Sequence, residues 1–94
     1  MNYERVTSCL KAIAHPVRFR ILEILLEGSI CVGDLSEELG SKQPNVSQHL
    51  GVLRDRGLVE PVRSENKVCY HVRDPRIAQL IRLAAEIFGR ERRE

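Results

Sequence analysis

Apolar residues recur along this chain with a period near 3.6 over most of its length and near 2 over one stretch, and the change of period divides it into elements. Residues 3–14 carry Val6, Cys9, Leu10, Ile13 and Ala14 on one stripe and are expected to form a first helix. His15-Pro16 breaks it, because the residue before a proline avoids the helical region. Pro16 then suits the first turn of a second helix over about 16–27, marked by Val17, Ile21, Ile24 and Leu25 and closed at Gly28. A histidine beside a proline at such a junction is expected to be a cap or a surface residue rather than a metal ligand.

The stretch 30–59 reads as two short amphipathic helices joined by a tight turn. Val32, Leu35 and Leu39 fall at i, i+3 and i+7 of the first, with Asp34, Glu37 and Glu38 outward and Gly40 as a left-handed stop. Ser41 is expected to cap the second, where Pro44 is tolerated because first-turn amides have no intrahelical acceptor to lose. Val46, Leu50 and Leu53 form its buried face. Left outward are Lys42, Gln43, Asn45, Ser47, Gln48, His49 and Arg54. Gln and Asn can bond adenine edges bidentately while Ser and Lys hold phosphates, so the pair reads as a helix-turn-helix whose second helix enters the major groove of double-stranded DNA.

Past Gly57 the period drops to 2, with Val59 and Pro61 on one strand and Val68, Tyr70 and Val72 on another, around a Ser64-Glu65-Asn66 turn in which Asn66 is expected to take positive φ. Pro61 has no amide to donate, so its strand should be an edge. With Arg63 and Lys67 near its tip, this two-stranded hairpin reads as a wing able to straddle a phosphate backbone. Asp74 and Pro75 open a last helix on which Ile77, Leu80, Ile81, Ala84, Ile87 and Phe88 make a seam too wide for a helix merely resting on a small core, which predicts a homodimer helix. The tail 90–94 is charged all round and expected to fray. The fold class expected is mainly α with a small β-hairpin: one winged helix-turn-helix domain over 1–94, of about five helices plus a two-stranded wing, paired as a homodimer.

Composition adds limits rather than detail. The 94 residues suffice for one modest core, and no apolar run approaches the ~20 residues of a membrane span. The start lacks the apolar stretch of a signal peptide, so the expected location is the cytoplasm, with no membrane partner. A small net charge of +2 is unevenly placed: residues 1–40 carry −2 and residues 41–94 carry +4, the basic half being the one with the reading helix. Three well-separated cysteines, Cys9, Cys31 and Cys69, argue for reduced thiols rather than a disulfide framework. Cys69 alternates with Val68 and Tyr70 and is expected on the other wing face, away from the other two, as a passive thiol. The three histidines are scattered without ligand spacing and there is no glycine-rich phosphate loop, which argues against an enzyme. Gln43, Asn45, Ser47 and Gln48 are poor anchors for a protein interface, and of four aromatics only Tyr3 lies off an apolar face, too few to stack single-stranded RNA.

HPVRFRILEILLEG, ICVGDLSEELG, QPNVSQHLGVLRDRGLV and NKVCYHV together resemble, in order and spacing over about 10–72, the ArsR/SmtB family of winged helix-turn-helix repressors. The resemblance implies a cytoplasmic homodimer that blocks a promoter until a metal ion, metalloid or oxidant reaches a sensor site. The family's arsenic-type site is a Cys-Val-Cys-Asp-Leu run, whereas here Cys31-Val32-Gly33-Asp34-Leu35 keeps only the first thiol, so the local two-sulfur chelate is missing. The zinc-type site needs histidines on the last helix, and residues 75–94 contain none. Cys31, at a helix start that favours thiolate, and Cys9, on the helix that packs near the dimer interface in this family, remain the candidate inducer site, as a redox pair or as ligands to arsenite or another soft metal ion. The expected function is a sequence-specific DNA-binding regulator, a homodimeric repressor released by a metalloid, soft metal ion, oxidant or persulfide. The alternatives are a winged-helix protein-interaction module and a regulator of this type with no small-molecule sensor.

Overall fold

In the computed structural model, which describes residues 1–89, the chain runs α1 (Tyr3–Ile13), α2 (Pro16–Leu25), β1 (Ile30–Cys31), α3 (Val32–Leu39), α4 (Gln43–Asp55), β2 (Val59–Ser64), β3 (Lys67–Val72) and α5 (Pro75–Phe88). The charged tail 90–94 lies outside the described residues. Three helices begin on side-chain caps: Asn2 Oδ1 accepts the Arg5 amide at 3.0 Å, His15 Nδ1 the Val17 amide at 3.1 Å, and Asp74 Oδ1 the Arg76 amide at 2.9 Å. Such a bond satisfies one of the orphan amides of the first turn. His15 is therefore a cap, as its place beside Pro16 suggests.

The turn between α3 and α4 follows from Gly40, whose φ of 65° and ψ of 29° are left-handed. The amides of Gly40 and Ser41 donate back to the carbonyls of Glu37 and Ser36, each at 3.1 Å, and close α3. That commitment moves Ser41 out of the capping position expected for it. Lys42 stands at the N-cap of α4 instead, and no side chain caps that helix.

Ile21 and Leu22 of α2, Leu35 of α3, Val46, Leu50 and Leu53 of α4, Val59 of β2 and Ile81 of α5 are fully buried together. Each side chain of this size stabilises the fold by roughly 1.5–3 kcal/mol. The core thus clamps α4 by three residues spaced at i, i+4 and i+7, which leaves its opposite face for solvent or a ligand.

The sheet differs from the expected hairpin. It has three antiparallel strands in the order β1-β3-β2, with Ile30 opposite Tyr70 and Cys31 opposite Cys69. β2, which holds Pro61, is an edge as its missing amide requires. Ser64 pairs with Lys67, leaving a two-residue loop whose first position takes positive φ; that residue is Glu65 (φ 57°), not Asn66.

The third strand also overturns the reading of the cysteines. Cys69 is only 6% exposed and is joined to Cys31 in a disulfide spanning 38 residues of sequence. Burial in β3 does not alternate as expected, since Cys69 and Tyr70 are both buried while Val68 is exposed, and the cross-strand neighbour of Cys69 depends on register with β1. That strand is two residues long and carries no periodic signal of its own.

Candidate DNA interface and thiol site

The outward face of α4 presents Lys42, Gln43, Asn45, Ser47, Gln48 and Arg54, all exposed, and the wing presents Arg63 and Lys67, also exposed. Gln43 and Ser47 on α4 line one open groove of about 530 Å³ with Asn66 and Lys67 of the wing and with Cys31 and Asp34 at the start of α3. Amide and hydroxyl side chains on one wall of the groove therefore face the Lys67 cation on the other. Asn66, which the sequence marked only as a turn residue, belongs to this groove. So does Gly33: a Cβ built there would meet nothing nearer than Gln43 Nε2, at 3.6 Å.

His49 lies apart from the other outward residues. It is half-buried, with its ring centroid 4.7 Å from that of His15 and its Nδ1 3.5 Å from Arg18 Nη1. Loss of hydration holds its pKa below the usual histidine value, helped by His15 and the Arg18 guanidinium. Its side chain ties α4 to the start of α2 instead of extending outward with Gln48.

The surface ion pairs are exposed and contribute little. Arg54 pairs with Asp55 at 3.6 Å, and on the wing Glu60 meets Arg73 at 3.1 Å and His71 at 3.4 Å. At the start of α5 the Arg76 guanidinium and amide both bond the Asp74 carboxylate, which draws its pKa down to about 2.

The candidate thiol pair is not brought together. Cys9 stays a thiol whose Sγ lies 3.6 Å from the Arg56 carbonyl, at the junction of α1 with the end of α4, while Cys31 is bonded to Cys69. Cys31 is half-buried and opens onto the groove between α4 and the wing.

The apolar seam of α5 is divided between two tasks. Ile81 is 1% exposed and Ile77 packs against the same core, so these two face inward rather than toward a second copy. Leu80, Ile87 and Phe88 remain exposed, Phe88 at 81%, and Ala84 is half-buried. Leu83, not singled out in the sequence, is 54% exposed beside them. Val6 and Leu10 of α1 line an apolar hollow of about 380 Å³ with Leu80, so the uncovered surface runs across both terminal helices.

Comparison with known proteins agrees with this architecture. A family model described as "Bacterial regulatory protein, arsR family" matches residues 15–61. The chain is 40% identical over 83 residues to the biofilm growth-associated repressor of Xylella fastidiosa, covering 88% of this chain and 73% of that protein. The crystal structure of the Xylella fastidiosa transcriptional repressor BigR superposes with a TM-score of 0.84 at 38% identity, over 94% of this chain and 90% of that one. The probable mercury resistance operon repressor of Streptomyces lividans is 40% identical over 74 residues, 79% of this chain and 59% of that protein.

Proposed function

Because the chain belongs to the arsR family of bacterial regulatory proteins and is a DNA-binding transcriptional repressor, we propose that it works in the cytoplasm as a homodimer on double-stranded operator DNA and is released by a thiol-reactive inducer acting at Cys31. Its work is binding rather than catalysis. Gln43, Asn45, Ser47 and Gln48 read base edges in the major groove, and Lys42, Arg54, Arg63 and Lys67 hold phosphates. The exposed apolar residues of α1 and α5 supply the dimer contact and set two reading helices about one DNA turn apart, ~34 Å.

The observation that carries the reading is the groove itself. Cys31 opens onto the space bounded by Gln43, Ser47 and Lys67, so an adduct on its sulfur occupies volume and brings charge where the DNA backbone has to pass. A soft thiophilic ion such as arsenite or mercury suits a thiolate by ligand softness. The relative from Streptomyces lividans is a probable mercury resistance operon repressor, which supports the same inducer class here. Arsenite needs a second sulfur, and with glycine at position 33 the nearest is Cys69 in the dithiol state.

The test starts from an operator selected from random duplex DNA with the reduced protein. Binding is then titrated with arsenite, mercuric ion and a mild oxidant, for the native chain and for Cys31→Ser. The native chain should release DNA with at least one of these, and Cys31→Ser should bind equally well but not respond. Recovery of no preferred sequence would remove the sequence-specific reading; normal release of Cys31→Ser would remove Cys31 as the sensor.

A further inference from the structure

The joint between α2 and α4 holds back a side chain that could carry positive charge. His49 follows Asn45 by four residues and Lys42 by seven, so it shares a stripe of α4 with two exposed polar residues. Two residues beyond Ser47, it lies on the flank of α4 opposite the one that Gln43 and Ser47 turn to the wing. Its imidazole is nevertheless half-buried against α2, 4.7 Å from the ring of His15.

Both rings face donors through Nδ1. His15 Nδ1 accepts the Val17 amide at 3.1 Å, and His49 Nδ1 lies 3.5 Å from Arg18 Nη1, an atom that can only donate. Arg18 is itself anchored, because its Nε donates to the Ala12 carbonyl near the end of α1. A proton added at His49 Nδ1 therefore sets two donors against each other beside a held guanidinium. Among the described residues no carboxylate pairs with His15, Arg18 or His49 to offset that charge. Burial acts in the same direction, so the ring gains its proton only below the usual histidine range while it stays in the joint.

We propose that His49 is a proton-conditional contact to the DNA backbone: neutral, it braces α4 against α2, and protonated, it leaves the joint and binds a phosphate beside Lys42 and Asn45. This rests on the reading that α4 lies in the major groove of operator DNA. A helix in that groove runs between two phosphate backbones, one for the wing and one for the opposite flank of α4. Proton and DNA both favour the outward, charged form, so by linkage each strengthens binding of the other. Phosphates carry no sequence information, so the gain is the same on random DNA as on the operator.

The full chain carrying His15→Asn and His71→Gln keeps His49 as its only histidine, and asparagine can still cap α2. Its affinity for a random-sequence duplex, with those of the native chain and of His49→Gln, is measured by anisotropy over a range of salt at pH 7.5 and pH 5.5. For the native and single-histidine chains the salt dependence should steepen by about one unit of slope at the lower pH, the counterion release of one phosphate newly met. For His49→Gln the slope should be the same at both. Calorimetry of the single-histidine chain, in two buffers of different ionisation heat, should show proton uptake on binding the duplex near pH 6 and none near pH 8, a readout that does not depend on how His49→Gln folds. A slope independent of pH in the native chain, a steepening that survives His49→Gln, or binding without proton uptake would each overturn the proposal and leave α4 as the reading helix. Full operator affinity in a chain with Gln43→Ala and Gln48→Ala would take α4 out of the groove and overturn both.

Discussion

The rings of His15 and His49 meet at a 45° tilt with centroids 4.7 Å apart, so the residue that caps α2 also braces α4. Arg18, on the first turn after the cap, approaches the same ring of His49. Burial and these two neighbours favour the neutral form of the His49 imidazole at this joint.

A pH dependence follows. Burial, His15 and Arg18 lower the His49 pKa in the fold, so the unfolded chain takes up protons at higher pH than the native one. The contribution of this joint is complete above the unperturbed histidine value, near 6.5, and is lost as pH falls below it. Urea midpoints for the native chain should drop from pH 7.5 to pH 5.5, and His49→Gln should flatten that part of the profile. Identical profiles for the two proteins would show that the stack carries no linkage.

Reading and positioning can be separated on the reading helix and the wing. Gln48→Ala should weaken binding to the selected operator by about 1–3 kcal/mol and hardly affect random DNA. Lys67→Ala should weaken both and flatten the salt dependence by about one unit of slope. Equal losses on both DNAs for Gln48→Ala would mark it as a backbone contact.

The division of the α5 seam makes assembly and folding distinguishable. Leu83→Glu or Ile87→Glu alters an exposed position and should give folded monomers by sedimentation, since a buried carboxylate would face its symmetry mate without a partner. Ile81→Glu should instead unfold the chain, because Ile81 lies in its own core. A dimer that survives both exposed substitutions would move the interface away from α5.

Gly33 offers a gain-of-function test. A Cβ there meets only Gln43 Nε2, at 3.6 Å, and replacing the helical glycine by cysteine costs no helix propensity, gaining about 0.3 kcal/mol. Gly33→Cys places a second thiol two residues from Cys31 and should let arsenite release the operator at lower concentration than for the native chain. An unchanged arsenite response, by anisotropy on labelled operator, would argue that Cys31 cannot enter a local chelate.

What the sequence determined by itself was whatever depends on neighbours three or four residues away. The apolar spacing of Val46, Leu50 and Leu53, the left-handed Gly40, the caps at His15 and Asp74 and the edge strand at Pro61 all act within a turn or a strand, so residue order alone specifies them. The family pattern of 15–61 lies in the same local features. Tertiary structure decided the rest, because it turns on register and on which side of a helix finds its own core. Cys31 meets Cys69 across 38 residues through a two-residue strand too short to show a period, which is why Cys9 was the expected partner. On α5 the apolar seam is continuous in sequence, and only packing separates Ile81, inside, from Leu83 and Ile87, outside. His49 has the same polar character as Gln48 beside it, and only the closeness of α2 to α4 turns it inward toward His15.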